Sequence, residues 1–215
     1  MKGQWFEHWT MVPCSASIAG DGNQAAAKLA VSSMLKTMII ETKRLILREI
    51  DPERDFEPWV RAMADPSTVR YLGTKPMNRA EAWRSMAMAM GHWAIRGYGF
   101  FSLEHRDTGA WIGRVGPWYP EGWPGPEVGW TISPDHLGQG YATEAARASI
   151  DFAFRSLGWQ QVIHVIMEGN EASFAVARKV GSALLREQQG LPGVTEKRVL
   201  IYGQSSDGRP ASLPA

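Results

Sequence analysis

Residues 136–145, HLGQGYATEA, place Gly138 and Gly140 two positions apart directly ahead of a helix-forming run. The first turn of a helix has amide N–H groups with no partner inside the helix, and it carries partial positive charge. Glycines at its entry remove the Cβ atoms that would hold an anion away, so the spacing suits a phosphate-bearing ligand. Ala142 keeps the next position small. Two familiar phosphate motifs are excluded: no Gly-Lys-Ser/Thr follows, as a P-loop requires, and Thr143 stands where a G-x-G-x-x-G dinucleotide loop needs its third glycine. On these residues alone, a tight turn into a helix accounts for the stretch as well as a ligand loop does.

A loop of this kind needs a strand before it and a helix behind it. EVGWTIS supplies the strand over 127–133, and the helix runs to about Leu157 with Ala142, Ala146, Ile150, Ala153, Phe154 and Leu157 on one side. Upstream, TKRLILREI alternates Leu45 and Leu47 with Arg44, Ile46 and Arg48 as a strand. Asp51 and Pro52 open a helix carrying Phe56, Trp59, Val60 and Met63, broken at DPS over 65–67. A second helix over 79–94 sets Trp83, Met86, Met90 and Trp93 on one stripe, expected in the core. Residues 97–105 and 109–119 form a hairpin around the turn RDTG. Downstream follow a strand over 158–168, a helix over 170–181 ended by Gly181, and strands over 182–190 and 195–203. The order predicts an α/β fold: a single mixed, mostly antiparallel sheet flanked by helices.

At 215 residues the chain suits one domain, expected over 38–203. Residues 1–37 lack clear periodicity and are expected to be a loose extension or a start-site artefact, with a partner-binding amphipathic helix as the sharper alternative. Residues 204–215 are expected to be a disordered tail. The formal net charge of +1, with no run of like charge, argues against a nucleic-acid grip held by counterion release. A single cysteine, Cys14, cannot close an internal disulfide, and no Cys/His spacing suits zinc, so no metal is expected. No segment reads as a membrane span, which leaves a cytoplasmic protein, monomer or homodimer, as the expectation.

From Glu127 onward the chain resembles the GNAT superfamily of N-acetyltransferases, whose pyrophosphate loop reads Gln/Arg-x-x-Gly-x-Gly/Ala. Leu137, Gly138, Gln139, Gly140, Tyr141 and Ala142 match it, with Leu137 departing from the usual Gln/Arg. The fuller stretch LGQGYATEA looks like the RimJ/RimL-like branch. NEASFAVARKVG is similar to that branch's Asn-x-x-Ser-x-x-x-x-x-Lys-x-Gly, matched by Asn170, Ser173, Lys179 and Gly181. The opening strand is also similar, so the resemblance covers about 40–203.

The resemblance implies acetyl-CoA as acyl donor, an amine acceptor, and fourth and fifth strands that splay apart around the pantetheine arm. It implies that backbone groups of Trp130, Thr131 and Ile132 pair with that arm and that amides from Leu137 to Thr143, through Gln139 and Tyr141, take the pyrophosphate. Asn170 would hydrogen-bond the arm from the other side; read from its position alone, it is an N-cap. Ser173 is either a cofactor contact and acid or a small packing residue. Glu127 stands where several members place a general base, against a solvated strand-end glutamate. Many relatives carry an acidic tyrosine on the next helix, where this chain has Ala177. The implied reaction is acetyl transfer to a primary amine, of a protein N-terminus or a small molecule, by direct attack through a tetrahedral intermediate. A non-catalytic acyl-CoA-binding module is the alternative, and a nucleotide-binding oxidoreductase is disfavoured by the failed dinucleotide motif. Trp118, Trp123 and Trp130, among prolines and near the expected acceptor mouth, form either a rigid aromatic wall or simple loop packing.

Overall fold

The computed structural model describes residues 38–208 and Ala211; Cys14 and the extension expected over 1–37 lie outside the described residues. Strands β1 (Ile39–Glu41) and β2 (Leu45–Arg48) form a hairpin where one strand was expected. The Thr42 hydroxyl explains the turn: Oγ1 accepts from the Leu45 amide at 3.0 Å, while the Thr42 amide donates to the Leu45 carbonyl at 2.9 Å. Helix α1 (Pro52–Ala64) is capped by Asp51, whose carboxylate accepts from the Glu53 amide. Asp65 then ends α1 and caps the one-turn α2 (Pro66–Val69), so the break falls at DPS as expected.

Helix α3 (Arg79–Arg96) opens on a reciprocal capping box between Asn78 and Glu81 and closes on Gly97. Its buried face is Ala82, Met86, Ala89 and His92; Trp83, expected in the core, is 60% exposed instead. Met86 is buried as expected, and Met90 and Trp93 pack against the core partly buried; the fully buried line runs through Ala82, Met86 and Ala89, which turns Trp83 outward. Strands β3 (Phe101–His105), β4 (Trp111–Trp118) and β5 (Glu127–Ile132) follow as an antiparallel meander. A one-turn 3-10 helix (Pro134–His136) leads into α4 (Tyr141–Arg155), then β6 (Gln161–Met167), α5 (Glu171–Lys179), β7 (Ala183–Leu191) and β8 (Thr195–Ser205).

The eight strands make one open sheet in the order β1-β2-β3-β4-β5-β6-β8-β7, antiparallel except where β5 meets β6. That parallel pair is the β-α-β unit crossing over through α4. Side chains alternate across the sheet. Leu45, Leu47, Phe101, Leu103 and Val115 pack with Tyr141 and Phe152 of α4 on one face. Trp59, Met63, Met86, Phe100 and Trp118 fill the opposite face beneath α1 and α3. Strand β8 continues to Ser205, past the boundary expected at 203, because its pairing with β6 runs to Gln161 opposite Ser205. A turn over 206–208 follows, and residues 209, 210 and 212–215 of the expected tail lie outside the described residues.

Candidate active site

Gly138 and Gly140 both occupy the left-handed region, with φ of 75° and 81°, where a side chain would be strained. Gly140 is also the N-cap of α4, so that helix has no capping side chain, whereas α1, α3 and α5 are capped by Asp51, Asn78 and Asn170. The loop is held from behind. Arg44 Nε donates to Glu144 Oε2 at 2.7 Å, its Nη1 donates to the Gln139 carbonyl at 2.9 Å, and its guanidinium lies 4.5 Å from the Tyr141 ring centroid. Glu144 Oε1 also accepts from the Thr42 hydroxyl and the Arg44 amide. The β1–β2 turn thus fixes the first turn of α4, where an acidic residue complements the helix dipole. Nothing local in the sequence marks Arg44, a hundred positions from Glu144.

The expected splay lies between β5 and β6, the fourth and fifth strands counted without β1. Their register pairing is confined to Glu127 opposite Ile163, beside the bond from the Ile163 amide to the Pro126 carbonyl at 2.8 Å. Beyond it, two side chains bridge the strands. Glu127 Oε1 accepts from the Val165 amide at 3.0 Å, and His164 Nδ1 lies 2.6 Å from the Val128 carbonyl. A carbonyl only accepts, so His164 carries its proton on Nδ1 and its Nε2 accepts from the Ser182 hydroxyl at 2.9 Å. Burial pulls the His164 pKa down to about 4, which keeps the ring neutral.

Glu127 is buried, with 7% of the residue exposed, and its second carboxylate oxygen accepts from Trp123 Nε1 at 2.6 Å. Burial pushes its pKa up to about 7, against the opposing pull of the Val165 amide, the Trp123 indole and the Arg114 charge. Across the splay, Trp130 Nε1 donates to Ser173 Oγ at 3.2 Å, and the indole packs 4.9 Å from His164. Asn170 caps α5, its Oδ1 accepting from the Ser173 amide at 3.2 Å. Trp130, Ser173 and Asn170 are thus linked on the α5 side, Glu127 stands where the two strands part, and the 137–143 loop follows from the end of β5.

This architecture has relatives. The family model for the acetyltransferase (GNAT) domain matches residues 44–183. The chain belongs to the GNAT acetyltransferase family. An uncharacterised N-acetyltransferase of Bacillus subtilis, YoaA, is 30% identical over 162 residues, covering 72% of this chain and 91% of YoaA. The crystal structure of an acetyltransferase from Agrobacterium tumefaciens is 27% identical, with a TM-score of 0.69 over 80% of this chain and 96% of that one. A ribosomal L7/L12 α-N-protein acetyltransferase, RimL, solved in complex with coenzyme A, shares the fold at 18% identity and a TM-score of 0.67 over 80% of this chain and all of RimL.

The chain is thus an N-acetyltransferase of a family that uses acetyl-CoA, and its fold implies binding of that donor and of an acceptor. Two residues that frame the candidate site escaped sequence reading: Arg44 behind the loop and His164 in the splay. Trp123, from the tryptophan and proline cluster expected near the acceptor mouth, donates its indole N–H to Glu127. Ala177, where relatives carry tyrosine, is fully buried among Ile166, Phe174 and Tyr202, so it supplies packing. Among the described residues no helix is long and apolar enough to cross a membrane, and no group of His, Cys, Asp or Glu could hold a metal ion.

Proposed function

We propose that this enzyme transfers the acetyl group of acetyl-CoA to a primary amine by direct attack, with Glu127 as the general base. The supporting observation is a buried carboxylate with a pKa of about 7 at the point where β5 and β6 part. Amides from Leu137 to Thr143 take the pyrophosphate at the uncapped start of α4. Backbone groups of Trp130, Thr131 and Ile132 pair with the pantetheine arm in the splay. Asn170, its Oδ1 already accepting, offers its Nδ2 amide to the arm from the α5 side.

An alkylamine with a pKa near about 10 arrives as an ammonium and must lose a proton before it can attack. Glu127 takes that proton, and a carboxylate tuned close to neutrality is half ionised at working pH and still basic enough to act. Attack on the thioester carbonyl gives a tetrahedral oxyanion, held by a backbone amide near Trp130 or Thr131. Collapse expels the coenzyme A thiolate, a good leaving group with a pKa of about 8 to 9. Ser173, whose oxygen accepts from Trp130, keeps its own proton to donate to that thiolate. A cytoplasmic location, where acetyl-CoA and amines meet, suits this reading.

Thiol release from acetyl-CoA over an amine panel tests the proposal. Glu127→Gln should lower kcat/KM at pH 7 by roughly 10²- to 10⁴-fold and remove the acid limb near pH 7. A variant with the wild-type profile would take Glu127 out of the mechanism, and tight acetyl-CoA binding with no turnover on any amine would leave the non-catalytic module.

A further inference from the structure

One row of side chains crosses the α1 face of the sheet in register: Arg48 opposite Ser102, Ser102 opposite Arg114, and Arg114 opposite Thr131. The two arginines in it are treated differently. Arg48 is clasped by Asp55 through both terminal nitrogens and by Glu104 through Nε. Arg114, among the described residues, has no carboxylate within ion-pair distance. Its Nε reaches the Thr131 hydroxyl at 3.4 Å, and its guanidinium lies 4.5 Å from the Phe100 ring centroid and 5.0 Å from that of Trp59. Aromatic faces stabilise a cation but use none of its terminal N–H donors. Glu127 acts on this guanidinium only from beyond ion-pair distance, and partly burying an arginine with no contacting carboxylate is unfavourable, so its terminal N–H donors are expected to meet an anionic partner in the working complex.

Its surroundings say which partner. Phe100, which carries the Arg114 guanidinium on its ring, also lies 3.3 Å from the Cβ position of Gly129, and Glu127 Oε1 lies 3.6 Å from that same position. Arg114, Phe100, Gly129 and Glu127 therefore form a continuous run on one face of the sheet, with the Phe100 ring between the two charges and no side chain from Gly129 to crowd it. Arg114 and Gly129 keep solvent access, while Phe100 and Glu127 are buried.

We propose that Arg114 binds the carboxylate of the acceptor, so that the substrate is an amine that also carries a carboxylate, as a free amino acid does; the proposal rests on Glu127 acting as the base. One end of the acceptor pairs bidentately with the guanidinium while its ammonium faces Glu127. A single planar guanidinium matches a monoanion. A phosphate dianion would want a second free cation, and the nearest one in the row, Arg48, is already neutralised by Asp55 and Glu104. The reaction balances as ammonium plus acetyl-CoA giving the N-acetyl amino acid, coenzyme A as its thiol and one proton: of the two protons that the nitrogen loses, Glu127 accepts the first before attack and passes it to solvent, and the second leaves the tetrahedral intermediate and replaces the proton that Ser173 gives to the thiolate.

The test measures kcat/KM on matched acceptors: free amino acids, their carboxamides, the corresponding decarboxylated amines, and short peptides with an acidic first residue. Wild type should favour the carboxylate-bearing member over its neutral counterpart on the order of 10²-fold or more. A preference for the free amino acid assigns the α-carboxylate, and one for the acidic peptide assigns a side-chain carboxylate. Arg114→Gln should collapse that ratio toward one, while Arg114→Lys, which keeps charge but not the fork, should retain part of it. An acetyl-CoA-induced rise in melting temperature shows that each variant is folded; if Arg114→Gln does not fold, the wild-type ratio and Arg114→Lys still decide. Turnover on amides and amines equal to that on the acids would overturn the carboxylate site and leave the acetyltransferase reading standing. No turnover on any acceptor would remove both.

Discussion

Glu127 does two jobs with one carboxylate. One oxygen takes the Val165 amide that strand pairing no longer satisfies, and the other takes the Trp123 indole, so the group is fixed at the mouth of the splay. Burial raises its pKa and these two donors restrain the rise. Removing one of them has a signed outcome. Trp123→Phe keeps an aromatic ring but loses the 2.6 Å bond to the ionised form. The Glu127 pKa should therefore climb above about 7, and the acid limb of the kcat/KM profile should move to higher pH with the plateau reached later. A limb that stays in place would mean that the indole does not tune the base.

At the scale of elements, the parting of β5 from β6 needs replacements for the ladder bonds it gives up, and His164 is one of them. His164→Phe keeps a ring of similar size but leaves the Val128 carbonyl and the Ser182 hydroxyl each without this partner. The cost should be about 1–3 kcal/mol per buried group left unpaired, reduced at Ser182 because Gln204 also donates to it. The pH dependence follows from a folded pKa below the ordinary one. The contribution of neutral His164 is complete above pH 6.5 and falls away as the pH drops toward 4, because the unfolded ring protonates first. Denaturant midpoints taken across that window should decline in wild type and decline less in His164→Phe. Sequence reading found the elements that announce themselves locally: the caps at Asp51 and Asn170, the break at DPS, and the glycines ahead of α4. It missed β1, whose three residues carry no alternation to read, and it put Trp83 in the core because a helical period does not fix which of two adjacent residues, Ala82 or Trp83, faces inward. The clasp of Arg44 on Glu144 and the bridge from His164 to Val128 join residues far apart in the chain, and no local pattern encodes them.

Over the whole molecule, the sheet keeps two separate layers, and the splay is where they communicate. The aromatic core under α1 and α3 carries Arg114 and the approach to Glu127, while α4 and α5 on the other face carry the glycine loop and Asn170. Acetyl-CoA lying in the gap would tie β5, α4 and α5 together, so its binding should appear as stability of the entire domain. At a ligand concentration of about 100 times Kd the gain is ~2.7 kcal/mol, and for a domain of this size each kcal/mol raises the melting temperature by about 2–4 °C. Gly140→Glu should lose most of that ligand-dependent rise, since a side chain and a negative charge would enter the proposed pyrophosphate site. Any L residue at a φ of 81° strains the backbone, so the melting temperature without ligand should also fall. Gly140→Ala separates the two effects: it shares the strain, adds no charge, and its Cβ meets only Arg44 Nη2 at 3.5 Å. It should therefore start from a lowered melting temperature yet retain more of the rise with acetyl-CoA than Gly140→Glu does. Equal rises in wild type and Gly140→Glu would move the pyrophosphate away from this loop.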